Sequence, residues 1–200
     1  MHVEKLDESV IKDIGHAFGY YDYKGEKSLF DAFPSRDAVA EYISGYVRGM
    51  LNGGLLYTTS ERGEGYIAYK LPGAKLGLNV VWPIAKAAFS AMSLKELFKM
   101  MKAMSKNSKS LRDRMDKEKK PYIFVGLVCV REQYQGQGYM RKILDIAFKE
   151  GNRLGVPVVL ETDAKSKCDK YMHLGMELAG TRSCGEFGAL YDLIKYPDKR

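Results

Sequence analysis

The stretch Val128-Cys129-Val130-Arg131-Glu132-Gln133-Tyr134-Gln135-Gly136-Gln137-Gly138-Tyr139-Met140 decides the reading of this chain. An apolar strand runs into a glycine-punctuated loop and then into a helix. That helix places Met140, Ile143, Leu144, Ala147 and Phe148 on one face and Arg141, Lys142, Asp145, Lys149 and Glu150 on the other. The two glycines let the backbone turn tightly with no Cβ in the way, and the helix start leaves N–H groups unpaired at its positive end. Such a turn cradles an anion, a phosphate above all. The spacing excludes two common phosphate loops. No Gly-Lys-Ser or Gly-Lys-Thr follows, and the third glycine and later acidic residue of a dinucleotide fingerprint are missing.

Further along, Val156-Pro157-Val158-Val159-Leu160-Glu161-Thr162 reads as a short buried strand, and Lys165 to Leu174 as a helix stopped by Gly175. With these in place, Gln133-Tyr134-Gln135-Gly136-Gln137-Gly138 resembles the Gln/Arg-x-x-Gly-x-Gly/Ala signature of the GNAT acetyltransferase superfamily. Tyr171-Met172-His173-Leu174-Gly175-Met176 resembles that family's Tyr-x-x-Leu-Gly-Phe signature, with Met176 in place of the aromatic. Glu161-Thr162 ahead of Tyr171, and Lys119-Lys120-Pro121-Tyr122 leading into the central strand, are similar to the puromycin N-acetyltransferase-like branch.

The resemblance spans roughly residues 54–195. It implies the α/β class, with a mixed, largely antiparallel twisted sheet flanked by helices in one domain over residues 1–200. It also implies acetyl-coenzyme A as cosubstrate, bound by Val128, Val130, Gln135, Gly136, Gln137, Gly138, Tyr139 and Met140 with its pyrophosphate against the backbone from Gln135 to Met140, and no metal. Tyr171 then takes the family position from which a phenol protonates the departing thiolate; without the motif it reads as a packed aromatic. Backbone N–H groups near Val130, where the corresponding strand bends away from its neighbour, polarise the thioester carbonyl. Glu161, at the end of an apolar strand, takes the amine proton, holds the substrate ammonium or makes a structural hydrogen bond; the residues leave the three open. His173 ranks below it, because two residues along a helix point to different faces. Lys167 stands where the family often has an Asn bonded to the coenzyme arm.

Composition bounds the remaining classes. The chain has 200 residues, 46% of them hydrophobic, and no run of eighteen apolar residues. Residues Met1 to Asp13 carry no signal-peptide core, so a soluble, cytoplasmic protein without membrane partners is expected. Cys129, Cys168 and Cys184 are odd in number and widely spaced, unlike a disulfide framework or zinc site. The net charge of +7 is concentrated between Ser93 and Lys120, where ten basic residues face four acidic ones. Aromatic platforms and helix-turn-helix or zinc signals are missing there, so a solvated helical face is expected and no nucleic acid.

In chain order the patterns predict an edge strand at Val3 to Leu6 and a helix from Glu8 to Phe18 capped by Asp7. An aromatic loop holding Tyr20, Tyr21, Tyr23, Phe30 and Phe33 follows, then a helix from Arg36 to Leu51 capped by Ser35. Strands at Leu55 to Ser60 and Tyr66 to Leu71 form a hairpin. An insertion over about residues 77–120 carries one helix started by Pro83, a second started by Ser93-Leu94-Lys95-Glu96 with Leu94, Leu97, Phe98, Met101 and Met104 as its apolar face, and a third over Ser108 to Lys119. Pro121 to Val130 is the central strand, covered on both faces. Strands at Glu177 to Ser183 and Phe187 to Tyr196 close the chain. The function expected is N-acetylation of a small primary amine by direct transfer. A protein or peptide N-acetyltransferase and a non-catalytic coenzyme A-binding regulator are the alternatives, and oligomeric state, a homodimer included, stays open. The aromatic loop and the first two insertion helices are expected to close over the acceptor.

Overall fold

The computed structural model describes residues 1–105 and 109–198. Helices α1 (Glu8–Gly19) and α2 (Arg36–Asn52) lead into strands β1 (Leu56–Thr58) and β2 (Gly65–Lys70). Helices α3 (Leu78–Ala91), α4 (Leu94–Ser105) and α5 (Leu111–Lys117) form the insertion before β3 (Ile123–Val130). Then come α6 (Tyr139–Leu154), β4 (Val158–Thr162), α7 (Lys165–His173), β5 (Glu177–Ser183) and β6 (Ala189–Lys195). One sheet runs in the order β1-β2-β3-β4-β6-β5, antiparallel throughout except for the parallel pair β3 and β4. This is the mixed, largely antiparallel sheet flanked by helices that the resemblance implies.

Local chemistry sets most boundaries. Ser35 accepts the Ala38 N–H at the start of α2, and Ser93 and Glu96 exchange hydrogen bonds of 2.8 and 3.3 Å as a capping box. Helix α5 starts at a second box, Ser110 with Asp113; the expected start at Ser108 lies outside the described residues. Gly155 ends α6 and Gly175 follows α7, both in the left-handed region.

Several expectations are corrected. The first residues form no strand but an isolated bridge, His2 with Tyr57, flanked by bonds of Met1 and Val3 to Thr58 and Leu56, because the exposed Glu4 and Lys5 bury nothing and α1 begins at once. Asp7 sits at the N-cap without a side-chain bond. Pro83 does not start α3 but lies within it. A proline there deprives the carbonyl four residues back of its helical donor. That carbonyl, of Asn79, accepts from the Asn52 side chain at 3.5 Å, while the Asn79 side chain donates to the Asn52 carbonyl at 2.7 Å. On α4 the residues packed on the core are Leu97, Met100 and Ala103, whereas Leu94, Phe98 and Met101 face outward. The last strand begins at Ala189, after a short helical turn over Gly185–Phe187.

Two apolar layers sandwich the sheet. Ile14, Val47, Leu56, Ala68, Leu127 and Cys129 pack on the α1 and α2 side. Ile67, Ile123, Val125, Ile143, Leu144, Val158 and Leu193 pack on the α6 and α7 side. Along β3 the facing reverses: Ile123 and Val125 look toward α6, but Leu127 and Cys129 look toward α2. The cause is one extra residue, since Ala68 pairs with Leu127 and Tyr69 with Val125, leaving Gly126 unpaired as a bulge. The central strand is therefore apolar on successive residues for two separate reasons, and it is not covered throughout: Gly126 is exposed.

Candidate active site

The bulge coincides with a parting of the sheet. β3 and β4 pair at only three positions, Ile123–Val125 against Val158–Leu160, and beyond them Gly126–Val130 keeps β2 alone as neighbour. The irregularity thus lies at Gly126, four residues before Val130. The gap between the strands opens into a cleft of about 690 Å³. Arg131 N–H donates to the Glu64 carbonyl across β2, and alternate residues turn their N–H groups the opposite way. The N–H groups of Val128 and Val130 consequently point into the gap.

One side of the cleft is the glycine loop. Gly136 and Gly138 have φ of 73° and 78°, and a Cβ on either would point into open space. Gly138 is the N-cap of α6, so the free N–H groups of the helix start face the same opening. Val128, Val130, Gln135, Gly136, Gly138, Tyr139 and Met140 all line the cleft. Gln137 does not; its amide folds back to donate to the Gln133 carbonyl at 3.1 Å. The Gln135 amide donates to the Val130 carbonyl at 3.3 Å and pins the loop to the strand end. These open, left-handed backbone positions suit the pyrophosphate of a nucleotide coenzyme, which needs backbone donors and close approach.

Opposite the loop, α7 presents Tyr171, whose side chain is buried at the cleft wall. Burial first, then the negative charge of Asp163 and the neighbouring Tyr21, hold its phenol well above the ordinary tyrosine range. It is therefore protonated at neutral pH. Glu161 also lines the cleft. One carboxylate oxygen, Oε2, meets Arg182 at 3.1 Å, and Oε1 lies 3.9 Å from Arg112 with no hydrogen bond. Burial raises its pKa against the pull of the two guanidiniums. His173 does not line the cleft.

Sequence reasoning missed the surroundings of Lys167. Its ammonium donates to the Tyr23 hydroxyl at 2.6 Å and to Asp163 at 3.1 Å, and lies over the rings of Tyr21, Tyr23 and Phe30 at 4.7, 4.2 and 5.8 Å. The aromatic loop is thereby tied to α7, with Lys170 adding a bond of 3.1 Å to the Tyr21 hydroxyl. The loop sends Tyr21, Leu29 and Phe30 into the cleft, and the insertion sends Met104; Phe98, 70% exposed, does not reach it. A basic residue one turn before the tyrosine, together with a loop dense in Tyr far earlier in the chain, was the only available signal. Among the described residues no helix is long and apolar enough to cross a membrane, and no three His, Cys, Asp or Glu gather as a metal site.

No protein-family model and no curated protein matches the chain. Solved structures do. An acetyltransferase related to histone acetyltransferase HPA2, from Corynebacterium glutamicum, is similar over 100% of this chain and 96% of its own, with a TM-score of 0.62 at 13% identity. An N-acetyltransferase from Staphylococcus aureus gives 0.54 at 17% identity, covering 97% and 99%. The polyamine N-acetyltransferase of Drosophila melanogaster gives 0.53 at 13% identity, covering 96% and 98%. With the parted parallel strands, the left-handed glycine loop and the tyrosine helix in their expected order, these likenesses establish that the chain has the GNAT acetyltransferase fold.

Proposed function

We propose that the chain is an acetyl-coenzyme A-dependent N-acetyltransferase that acts on a small primary amine by direct transfer, in the cytoplasm. The observation that carries the reading is the convergence on one cleft of a left-handed glycine loop at a helix start and a buried, protonated tyrosine across a parted strand pair. The helical insertion between β2 and β3 supports a layout like that of the puromycin N-acetyltransferase-like branch. Amine acceptors are consistent with the polyamine and arylalkylamine N-acetyltransferases among the similar structures.

Each step has a residue. Backbone donors from Gln135 to Met140 hold the pyrophosphate, and the N–H groups of Val128 and Val130 anchor the coenzyme arm and polarise the acetyl carbonyl. The coenzyme supplies the acetyl thioester. Glu161 Oε1, buried and without a hydrogen bond, accepts a proton of the incoming amine. Its raised pKa makes it a better proton acceptor than an ordinary carboxylate. Tyr171 donates its phenolic proton to the leaving thiolate and recovers one from solvent afterwards.

The test pairs calorimetry with thiol release. Wild type should bind acetyl-coenzyme A and release free thiol when an amine is added. Gly138→Asp should lose binding, because a carboxylate at the helix start repels the phosphates, yet keep its fold, since Asp is accepted at helix starts and visits the left-handed region more readily than most residues. A folded Gly138→Asp variant with unchanged coenzyme affinity would refute the assignment.

A further inference from the structure

We propose that the acceptor is a monoamine on an apolar body of aromatic size, and that this cleft discriminates against diamines and guanidino-amines. The proposal rests on the acetyl-transfer reading above and deepens it. The acceptor side of the cleft is walled by Phe18, Phe30, Tyr42, Ile43, Tyr46 and Leu190. Its rings interlock. Phe18 meets Phe30 edge-on at 6.4 Å, and Phe33, which does not itself line the cleft, meets Phe30 at 5.8 Å and Tyr42 at 5.3 Å, so the rings of the wall are joined from behind into one packed aromatic chain. A ring or branched alkyl group gains by leaving water for such a surface.

The polar inventory decides how many cations the site takes. Only two carboxylates line the described cleft, Glu161 and Asp163. The residues outside the description, 106–108 and 199–200, contain no Asp or Glu. Both oxygens of Asp163 are engaged, Oδ1 by Lys167 at 3.1 Å and Oδ2 by the Tyr23 hydroxyl at 3.3 Å. Glu161 Oε2 is engaged by Arg182, and Oε1, 3.9 Å from Arg112, is the one carboxylate oxygen of the described cleft lining without a hydrogen bond. One oxygen serves one ammonium. A second ammonium or a guanidinium on the same molecule would be desolvated against rings with no carboxylate to receive it. The faces of Tyr21, Tyr23 and Phe30 do not rescue it, because Lys167 already lies over them and, with Lys170, would repel a further cation.

The experiment compares kcat/KM of the wild-type protein for 2-phenylethylamine, 1,4-diaminobutane and agmatine, with acetyl-coenzyme A affinity measured separately. The expected result is a preference for 2-phenylethylamine on the order of a hundredfold, the worth of one buried aromatic group. Tyr42→Glu, which sets a second carboxylate in the wall, should narrow the gap toward the diamine. A wild-type preference for 1,4-diaminobutane or agmatine, with coenzyme binding and thiol release intact, overturns this proposal and leaves acetyl transfer standing. Failure to bind the coenzyme, or absence of thiol release with every amine, overturns both.

Discussion

Tyr171 is the side chain whose surroundings support the acid role proposed for it. Its hydroxyl sits in a wall where burial and the charge of Asp163 disfavour the phenolate, so it keeps its proton and, in the proposed reaction, offers it to the departing sulfur as the C–S bond breaks. Replacement by Phe removes the donor and keeps the ring in the apolar layer that also holds Ile143 and Cys168. Turnover of Tyr171→Phe should therefore fall on the order of a hundredfold, with acetyl-coenzyme A affinity nearly unchanged. Single-turnover acetylation under saturating coenzyme checks this. A variant with near wild-type turnover, where chemistry limits the rate, makes Tyr171 a packing residue. Glu161 illustrates the converse situation, a carboxylate whose two oxygens differ because Arg182 meets one at 3.1 Å, whereas the other has only Arg112 at 3.9 Å and no hydrogen bond.

Among the elements, the β1-β2 hairpin and the bulged β3 carry the clearest consequences. In the hairpin loop Glu64 Oε2 accepts from the hydroxyls of Thr59 and Ser60, both at 2.7 Å, and these bonds lower its pKa to about 2. A carboxylate whose folded pKa is depressed contributes stability that is present above its unfolded pKa of about 4.3 and is lost as pH falls toward the folded value. Wild type should exceed Glu64→Gln in urea midpoint at neutral pH, and the difference should shrink as pH falls from about 4 toward 2. A difference independent of pH in that window would mean that the hydroxyl bonds add nothing specific to the ionised form. On β3, Gly126 lies under the Tyr46 hydroxyl, and a Cβ there would collide with it. Gly126→Ala should push the Tyr46 ring off the acceptor wall and raise the KM for amine while leaving coenzyme affinity intact. Equal losses for both substrates would assign the glycine to the fold rather than to the acceptor side.

The molecule as a whole is held at its far sheet edge by a buried ion pair. Arg182 on β5 meets Asp192 on β6 at 2.9 Å, also reaches Glu161 on β4, and Asp192 in turn accepts the Leu111 N–H at 3.1 Å at the start of α5. Three strands and the last insertion helix thus share one cluster, with Asp192 only 1% exposed. Removing one partner strands the other charge. Arg182→Ala should destabilise the fold by about 3 kcal/mol or more, measured by urea denaturation. It should also free Glu161 Oε2. A loss below about 1 kcal/mol would place the pair among ordinary surface bridges.

Much of this architecture is local and could be read along the chain. The capping pairs Ser93 with Glu96 and Ser35 with Ala38, the period of α6, the glycines at 136, 138, 155 and 175 and the β-branched run of β4 each encode their element within a few residues, because caps, left-handed turns and amphipathic faces act over one or two turns of chain. The loop and Tyr171 were legible for the same reason. What needed the folded molecule were the meetings of distant residues: Asn52 compensating Pro83 in α3, Lys167 caged by a loop about 140 residues away in sequence, Arg182 shared by Asp192 and Glu161, and the extra residue at Gly126. Nothing in the run Pro121 to Val130 marks where β3 leaves β4, since an apolar strand buried on both sides and a strand that reverses its facing at a bulge have the same composition. The cleft exists because that reversal and that parting fall at one place, and the acceptor preference proposed for it rests on side chains that only the packing of α1, α2, α7 and the sheet brings face to face.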